Sequence, residues 1–437
     1  MAWPQVAESV LNIADQFVDL LWAGRLPGGF RAIAALGIAQ TFTGMARTVR
    51  QGLDTSMQSL VSRAVGAGNI SLANHIVLQA FVLNGLFSFV VIGIGILFTD
   101  TLLATIGVSE EIRSETSLYM KIQFVGMGTM SMRMMTGVAL QSSGDVMTPL
   151  RATTIARLLH IGFTPLLMFG WLGFPSWGLA GAAIANVVAH LVGSLINYQA
   201  LFSGKSRLKL TFRGFYLDYP MLWRMIRIGT PVSVAATERT TAQLVLLAFI
   251  TPFGDVALAV FSLTRRMEMF SNFGAMGLGR ATGIIVGQNL GANKLDRARK
   301  AIGWGLLYVS VMKLILGVII FMFPAAIITI FSTDGNVVEL AVLWLRIQVI
   351  GTIFMGMGMV FQQAFNTAGD TLAPMVVTLF AMWIVELPVA WVLMNQFGMG
   401  PIGIAYARIL SMLIRVLVYF PYFYWGRWSK LKPLGSE

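Results

Sequence analysis

Asp15 and Asp19 stand four residues apart in a hydrophobic segment near the start of the chain, a spacing that puts both carboxylates on one face of a helix. A carboxylate inside an apolar span costs about 2.5–3.5 kcal/mol on membrane-insertion scales, so its presence calls for a reason. The chemistry open to such a group is proton exchange. Held in a partly dry cavity, a carboxylate takes up a proton that it gives back on contact with water. His160, three residues after Arg157, adds the side chain most easily titrated near neutral pH. Glu238 follows Pro231 by seven residues and neighbours Arg239, a ready ion-pair partner. These four, Asp19, Asp15, His160 and Glu238, are the candidates for ion or proton coupling.

A second constellation is polar rather than titratable. Arg47, Arg50, Asp54 and Gln58 recur at spacings of three, four and four, one continuous helix face on which Arg50 and Asp54 can pair. Such a face either locks helices together or lines a substrate cavity, to which Gln58, Arg50, Asp54 and Asn186 would contribute. Arg265, Arg266 and Glu268 invite the same two readings. The excess of arginine leaves an anionic or zwitterionic substrate open. Met127 to Met135 is read as core packing, although soft Met side chains also suit varied ligands.

Other chemistries drop out. There is no Cys, and three scattered histidines (His75, His160 and His190) do not make a metal site. His75 is read as solvated at a helix start and His190 as packing inside a span. Gly277-x-Gly279-x-x-Thr282 has no strand before it and is no dinucleotide fingerprint. No Walker motif supports ATP drive. No cofactor is expected beyond a coupling ion, H⁺ or less readily Na⁺, and no enzyme activity.

The elements that carry these residues must be membrane spans. Of 437 residues, 56% are hydrophobic and 11% charged, against about 25% charged in soluble chains. A net charge of +12 with the basic residues at span ends, not on one solvent face, argues against nucleic acid. Met-Ala-Trp-Pro at the start offers no basic region or cleavage site of a signal peptide. Spans of about 20 apolar residues are expected near 4–24, 32–60, 71–99, 113–140, 148–172 and 178–202. Six more are expected near 224–252, 256–287, 297–323, 336–366, 371–395 and 400–425. Two of them, 32–60 and 256–287, are polar enough to need shelter from lipid.

The second six repeat the first. Ser62-Arg-Ala-Val-Gly66-Ala-Gly-Asn69 matches Gly287-Gln-Asn-Leu-Gly291-Ala-Asn-Lys294 at an offset of 291 − 66 = 225. Lys121-Ile-Gln-Phe-Val-Gly126 matches Arg346-Ile-Gln-Val-Ile-Gly351, and Gly144-Asp145…Pro149 matches Gly369-Asp370…Pro374, both again at 225. Gly181-Ala-Ala-Ile-Ala answers Gly403-Ile-Ala-Tyr-Ala with a small drift. The expected fold is an all-α membrane protein of twelve transmembrane helices in two six-helix lobes. Units with an even number of spans share orientation, so a pseudo-two-fold axis should run along the membrane normal, with the working site near the midplane. The division is into 1–202, a cytoplasmic connector 203–222, and 223–437. Arg and Lys concentrate at Arg63, Arg151, the 205–227 group, the 294–300 group and 427–432, which places both termini in the cytoplasm.

Asp19-Leu-Leu-Trp-Ala-Gly-Arg25, Ala34-Ala-Leu-Gly37 and Val65-Gly-Ala-Gly68 resemble the start of the multidrug and toxic compound extrusion (MATE) family. So do Ser143-Gly-Asp-Val-Met-Thr-Pro149, Pro165-Leu-Leu-Met-Phe-Gly170 with Trp177-Gly-Leu-Ala-Gly-Ala-Ala-Ile-Ala185, and Val286-Gly-Gln-Asn-Leu-Gly-Ala-Asn293. The resemblance spans the chain. It implies a twelve-helix efflux transporter that exchanges H⁺ or Na⁺ inward for organic cations or other amphiphiles outward, with small molecules and membrane lipid as partners and a monomeric state. It also implies that Asp19 is the first-helix acid that binds the coupling ion, and that Glu238 is a second-lobe acid. Where one branch of the family has Asn and, four residues on, Asp in the fifth helix, this chain has His160 and Thr164. The tenth-helix acid of another branch is missing from Met355-Gly-Met-Gly-Met359, which favours protons over sodium. The alternative within the same broad superfamily is a lipid-linked oligosaccharide or polysaccharide flippase. An intramembrane enzyme or channel ranks third.

Overall fold

The computed structural model describes residues 2–26, 29–105, 108 and 110–430. It is helical, and no strand occurs among the described residues. The chain divides into two compact units, one holding Trp3–Thr230 and the other Pro231 onward.

The first unit contains α1 (Ala2–Ala23), α2 (Gly29–Gly66), α3 (Ile70–Thr105), α4 (Glu110–Ser143), α5 (Met147–Phe169) and α6 (Gly178–Ser203). Non-helical chain from 204 to 218 leads into α7 (Tyr219–Ile250), and the unit boundary falls inside that helix beside Pro231. After it come α8 (Asp255–Gly291), α9 (Leu295–Met322), the short α10 (Pro324–Thr329) and α11 (Gly335–Ala368). The next span is composite: α12 (Leu372–Leu379), a π-helical turn over Phe380–Glu386, and α13 (Leu387–Asn395). The last is α14 (Gly403–Trp425).

The sequence repeat is a structural repeat. Helix α4 begins at Glu110 and ends at Ser143, and α11 begins at Gly335 and ends at Ala368, so both ends are displaced by 335 − 110 = 368 − 143 = 225. The packing repeats as well. In the first unit α4 runs along α2, α3 and α6, and in the second α11 runs along α8, α9 and α14. Turns obey the same offset. Gly68 (φ +75°) and Asn293 (φ +57°) take the left-handed conformation at equivalent places, a role open to Gly at no steric cost and to Asn at a small one. Gly144 and Gly369 do so in the next matched turn.

Matched glycines also let helices approach. A Cβ on Gly181 would lie 2.4 Å from the carbonyl oxygen of Leu167, and one on Gly403 would lie 2.9 Å from the backbone nitrogen of Met394. Each seats the start of one helix against the end of the span before it. On α8, where Gly279, Gly283, Gly287 and Gly291 recur every four residues, a Cβ at Gly283 would meet Thr367 Oγ1 at 2.6 Å and the Gln363 carbonyl at 2.9 Å, and one at Gly279 would meet Gln363 Cγ at 3.3 Å, so these two glycines form a packing seam against α11. Backbone cannot yield as a side chain can. Gly181→Ala and Gly403→Ala are each expected to destabilise by about 1–3 kcal/mol. Gly162→Ala, where a Cβ meets nothing within 4 Å, should leave the melting temperature in detergent unchanged.

Among the described residues, α3, α5, α6, α9, α11, the composite α12–α13 span and the α14 region are long and apolar enough to cross a membrane on composition alone. Helices α1, α2, α4, α7 and α8 complete the twelve. Each carries charge inside its unit: Asp19, Arg50, Arg133, Glu238 and Glu268 lie one on each of these five, so hydropathy reads them as weaker spans than their packing makes them.

The connector is tied to the start of α3. Asn74 Nδ2 donates to the Lys209 carbonyl at 3.0 Å and Gln79 Nε2 to the Tyr216 carbonyl at 2.7 Å. His75 sits 3.0 Å from Asp218 and stacks on Tyr216 with ring centres 4.8 Å apart. The Met221 backbone N–H, and after it His75, hold the Asp218 carboxyl below the usual carboxylate range. His75 is therefore partnered, where sequence alone reads it as simply solvated.

Candidate functional site

In the first unit, Asp19 of α1 and His160 of α5 meet. His160 Nε2 lies 3.1 Å from Asp19 Oδ1, with the imidazole fully buried and the carboxylate side chain 10% exposed. One turn on, the Thr164 hydroxyl donates to the His160 carbonyl at 2.6 Å, using the spare lone pair of a helical carbonyl and fixing that stretch of α5. A carboxylate facing an imidazole can hold up to two protons between them, and its net charge passes from −1 through 0 to +1 as they are added.

A buried network holds this pair's neighbours in place. Arg133 of α4 donates from Nε to His190 Nδ1 at 2.9 Å and from Nη1 to Thr153 Oγ1 at 2.7 Å. Its Nη2 reaches Asn12 Oδ1 at 3.2 Å, the same oxygen that accepts from Arg157 Nη2 at 3.0 Å. Glu8 accepts from Gln141 Nε2 at 2.6 Å and from Thr153 Oγ1 at 3.2 Å. Four helices, α1, α4, α5 and α6, are thus pinned by one set of polar side chains. His190 accepts from arginine at Nδ1 and so carries its ring proton on Nε2. Sequence reading placed it in packing and missed the network, because Glu8, Asn12 and Arg133 are scattered over more than 120 residues.

The helix-two face is partly an ion pair. Arg50 Nη1 lies 2.7 Å from Asp54 Oδ2, and Nη2 approaches Met134 Sδ at 3.1 Å. Gln58 is buried one turn further on and Asn186 is half-buried on α6. The side chain of Asp15 lies outside the described residues. Within the methionine run, Met127 and Met135 are core residues, while Met132 and Met134 accept from Asn84 and Arg50.

The second unit has a different chemistry. Both carboxylate oxygens of Glu238 are closed to solvent. The positive charges of Arg239 and Arg415 lie near it, with the Trp383 side chain alongside. No ion pair with Arg239 forms, since adjacent residues on a helix do not face each other. The strong contact lies elsewhere. Arg408 of α14 donates from Nη1 to Glu268 Oε2 at 2.6 Å and from Nε to Glu386 Oε1 at 3.2 Å. Gln348 Nε2 of α11 adds a bond to Glu268 at 3.2 Å. Glu386 ends the π-turn, a helix irregularity that recurs at functional sites, and Pro388 follows two residues later. The sequence signal for this residue is a carboxylate in an apolar stretch two residues before a proline.

A family model described as MatE matches residues 4–166 and again 231–392. The chain belongs to the MatE family. The resemblance carried by the Asp19–Arg25 segment and the matched turns is thereby borne out, with one match in each unit. The probable multidrug resistance protein NorM of Thermotoga maritima is 25% identical, covering 100% of this chain and 94% of its own length. A protein of Shewanella oneidensis named FAD transporter is also 25% identical, over 96% of this chain and 92% of its own. Among solved structures, a MOP superfamily transporter from Pyrococcus furiosus, described as having a binding pocket of reverse polarity, superposes with a TM-score of 0.89. It shares 18% identity and covers 99% of this chain and 96% of that one. MatE membership makes this chain a multi-pass membrane transporter of the multidrug efflux type, not an enzyme.

Proposed function

We propose that the protein is a secondary active multidrug exporter that admits H⁺ while it moves organic cations or other amphiphilic compounds outward by alternating access. One observation carries the reading: the buried contact of Asp19 with His160 at 3.1 Å. A proton can bind a carboxylate oxygen or an imidazole nitrogen, whereas hard metal cations want oxygen ligands. An imidazole as the carboxylate's neighbour therefore favours H⁺ over Na⁺. Protonation removes the negative charge of Asp19, and with it a reason for the pair to stay closed to one side.

The basic residues around the 204–218 connector and at Arg427 and Lys430 support a cytoplasmic location for both termini, in a cell inner or plasma membrane, with the monomer as the working unit. On the substrate a second reading has support. Arg239, Arg265, Arg408 and Arg415 outnumber the three acids set against them, Glu238, Glu268 and Glu386, one relative is named for FAD, and one structural neighbour for reversed pocket polarity. An anionic amphiphile fits that excess of positive charge.

In everted membrane vesicles, collapsing the pH gradient with nigericin at constant sodium should stop dye movement. Replacing sodium with choline should leave it unchanged. The reverse pattern would make the transporter sodium-driven. Competition by a flavin nucleotide against a cationic dye separates the two substrate readings.

A further inference from the structure

Lys313 lies in the middle of α9 with none of its surface exposed, and its hydrogen-bond partners are all neutral. Nζ donates to the Ser271 carbonyl at 2.7 Å, to the Ser271 hydroxyl at 2.8 Å and to Asn272 Oδ1 at 2.7 Å. These use all three ammonium N–H groups. The Asn272 amide is oriented from its other side, where Nδ2 donates to Met355 Sδ at 3.3 Å. Space for the lysine stem comes from α11: a Cβ on Gly356 would stand 3.0 Å from Lys313 Cγ. The charge facing the ammonium is Glu268, one turn before Asn272 on α8. That carboxylate is already engaged by Arg408 from α14 and Gln348 from α11.

A carbonyl, a hydroxyl and an amide oxygen converging on one buried point, with a carboxylate one turn away, form the ligand set of a hard cation. The ammonium needs three acceptors, but nothing about a lysine requires all three to be neutral. A lysine buried for stability alone would be expected to pair with the carboxylate, because a buried charge without a counter-ion in contact is costly.

We propose that Lys313 is a tethered cation: its ammonium fills an oxygen-lined site in the second unit that would otherwise accept Na⁺. The second unit then binds no free alkali cation, and sodium insensitivity is built into the chain. The inference deepens the proton reading of the first unit. Its test reads ion binding, not transport, so either can fail without the other.

The measurement is melting of the purified full-length protein in NaCl against N-methylglucamine chloride at equal ionic strength, with saturation binding of radiolabelled Na⁺. The wild type should melt alike in both salts and bind no Na⁺ saturably. Lys313→Ala should melt lower in N-methylglucamine and recover by about 5 °C when sodium reaches about 100 times its Kd. It should also bind one Na⁺ saturably, and adding Asn272→Leu should abolish that binding. Should Lys313→Ala not yield folded protein, Lys313→Met keeps the stem's bulk and gives the same readout. Saturable Na⁺ binding by the wild type that Asn272→Leu abolishes would overturn the proposal. So would the absence of a sodium response in both Lys313 variants.

Discussion

Asp19→Asn should abolish concentrative export while leaving a folded protein in the membrane. The substitution conserves size and shape at a position that is 7% exposed, and it removes a charge from a mostly apolar setting. Expression and melting should therefore match wild type within about 2 °C, or rise slightly, because burying a carboxylate costs more than burying an amide. What is lost is the capacity to bind a proton in one state and release it in another. Each pH unit across the membrane sustains at most about a tenfold substrate gradient per proton exchanged. Without exchange that ratio falls to one. His160→Gln divides the roles further. It retains a hydrogen-bonding group beside Asp19 but not a titratable one, so transport should persist at reduced rate with a flatter dependence on pH between about 6 and 8. Equal concentrative export by Asp19→Asn and wild type in everted vesicles would remove Asp19 from the mechanism.

The largest effect on stability is expected at Arg408. Its guanidinium bridges Glu268 and Glu386 from a side chain that is 9% exposed, so Arg408→Met would strand two carboxylates inside the second unit. Breaking a buried pair by removing one partner costs about 3–5 kcal/mol. For a unit of this size that lowers melting by about 10 °C or more. Neutralising the acids as well, in Glu268→Gln/Glu386→Gln/Arg408→Met, should recover most of the loss, since buried amides need hydrogen bonds but no counter-charge. Melting followed by size-exclusion chromatography in detergent separates these variants. An Arg408→Met protein that melts within about 2 °C of wild type would show that the bridge stabilises nothing.

These two clusters show what a single sequence can and cannot disclose. The duplication was legible because it is written in turn chemistry. Gly68 and Asn293 share a left-handed turn, Gly144 and Gly369 another, and Gly181 and Gly403 each seat a helix against backbone. Such positions tolerate few residue types, so two copies keep a visible offset. Asp19 was legible as a misplaced charge in an apolar run, and His160 as a titratable group in another. Their meeting was not, for nothing local to either residue specifies which helices adjoin. Long-range partners stay hidden for the same reason. Glu268, Glu386 and Arg408 come from three spans, and the π-turn that ends at Glu386 has no period that hydropathy reveals. Nothing in the sequence around Lys313 marks it, because its three neutral oxygens all come from another helix, α8. Glu238 shows the opposite failure. Its adjacency to Arg239 suggested a pair, but helical geometry sends neighbouring side chains in different directions.

Proton exchange at Asp19 and His160 is the central claim, and the direct measurement is proton flux driven by substrate alone. Purified protein is reconstituted into vesicles that enclose a pH-reporting dye, with no pH or sodium gradient imposed. A gradient of a transported organic cation is then applied across the membrane. The account predicts proton movement opposite to the substrate, unchanged when sodium is replaced by choline and absent in Asp19→Asn. Substrate movement with no pH change in sodium-free medium, or the same pH change in Asp19→Asn, would contradict it.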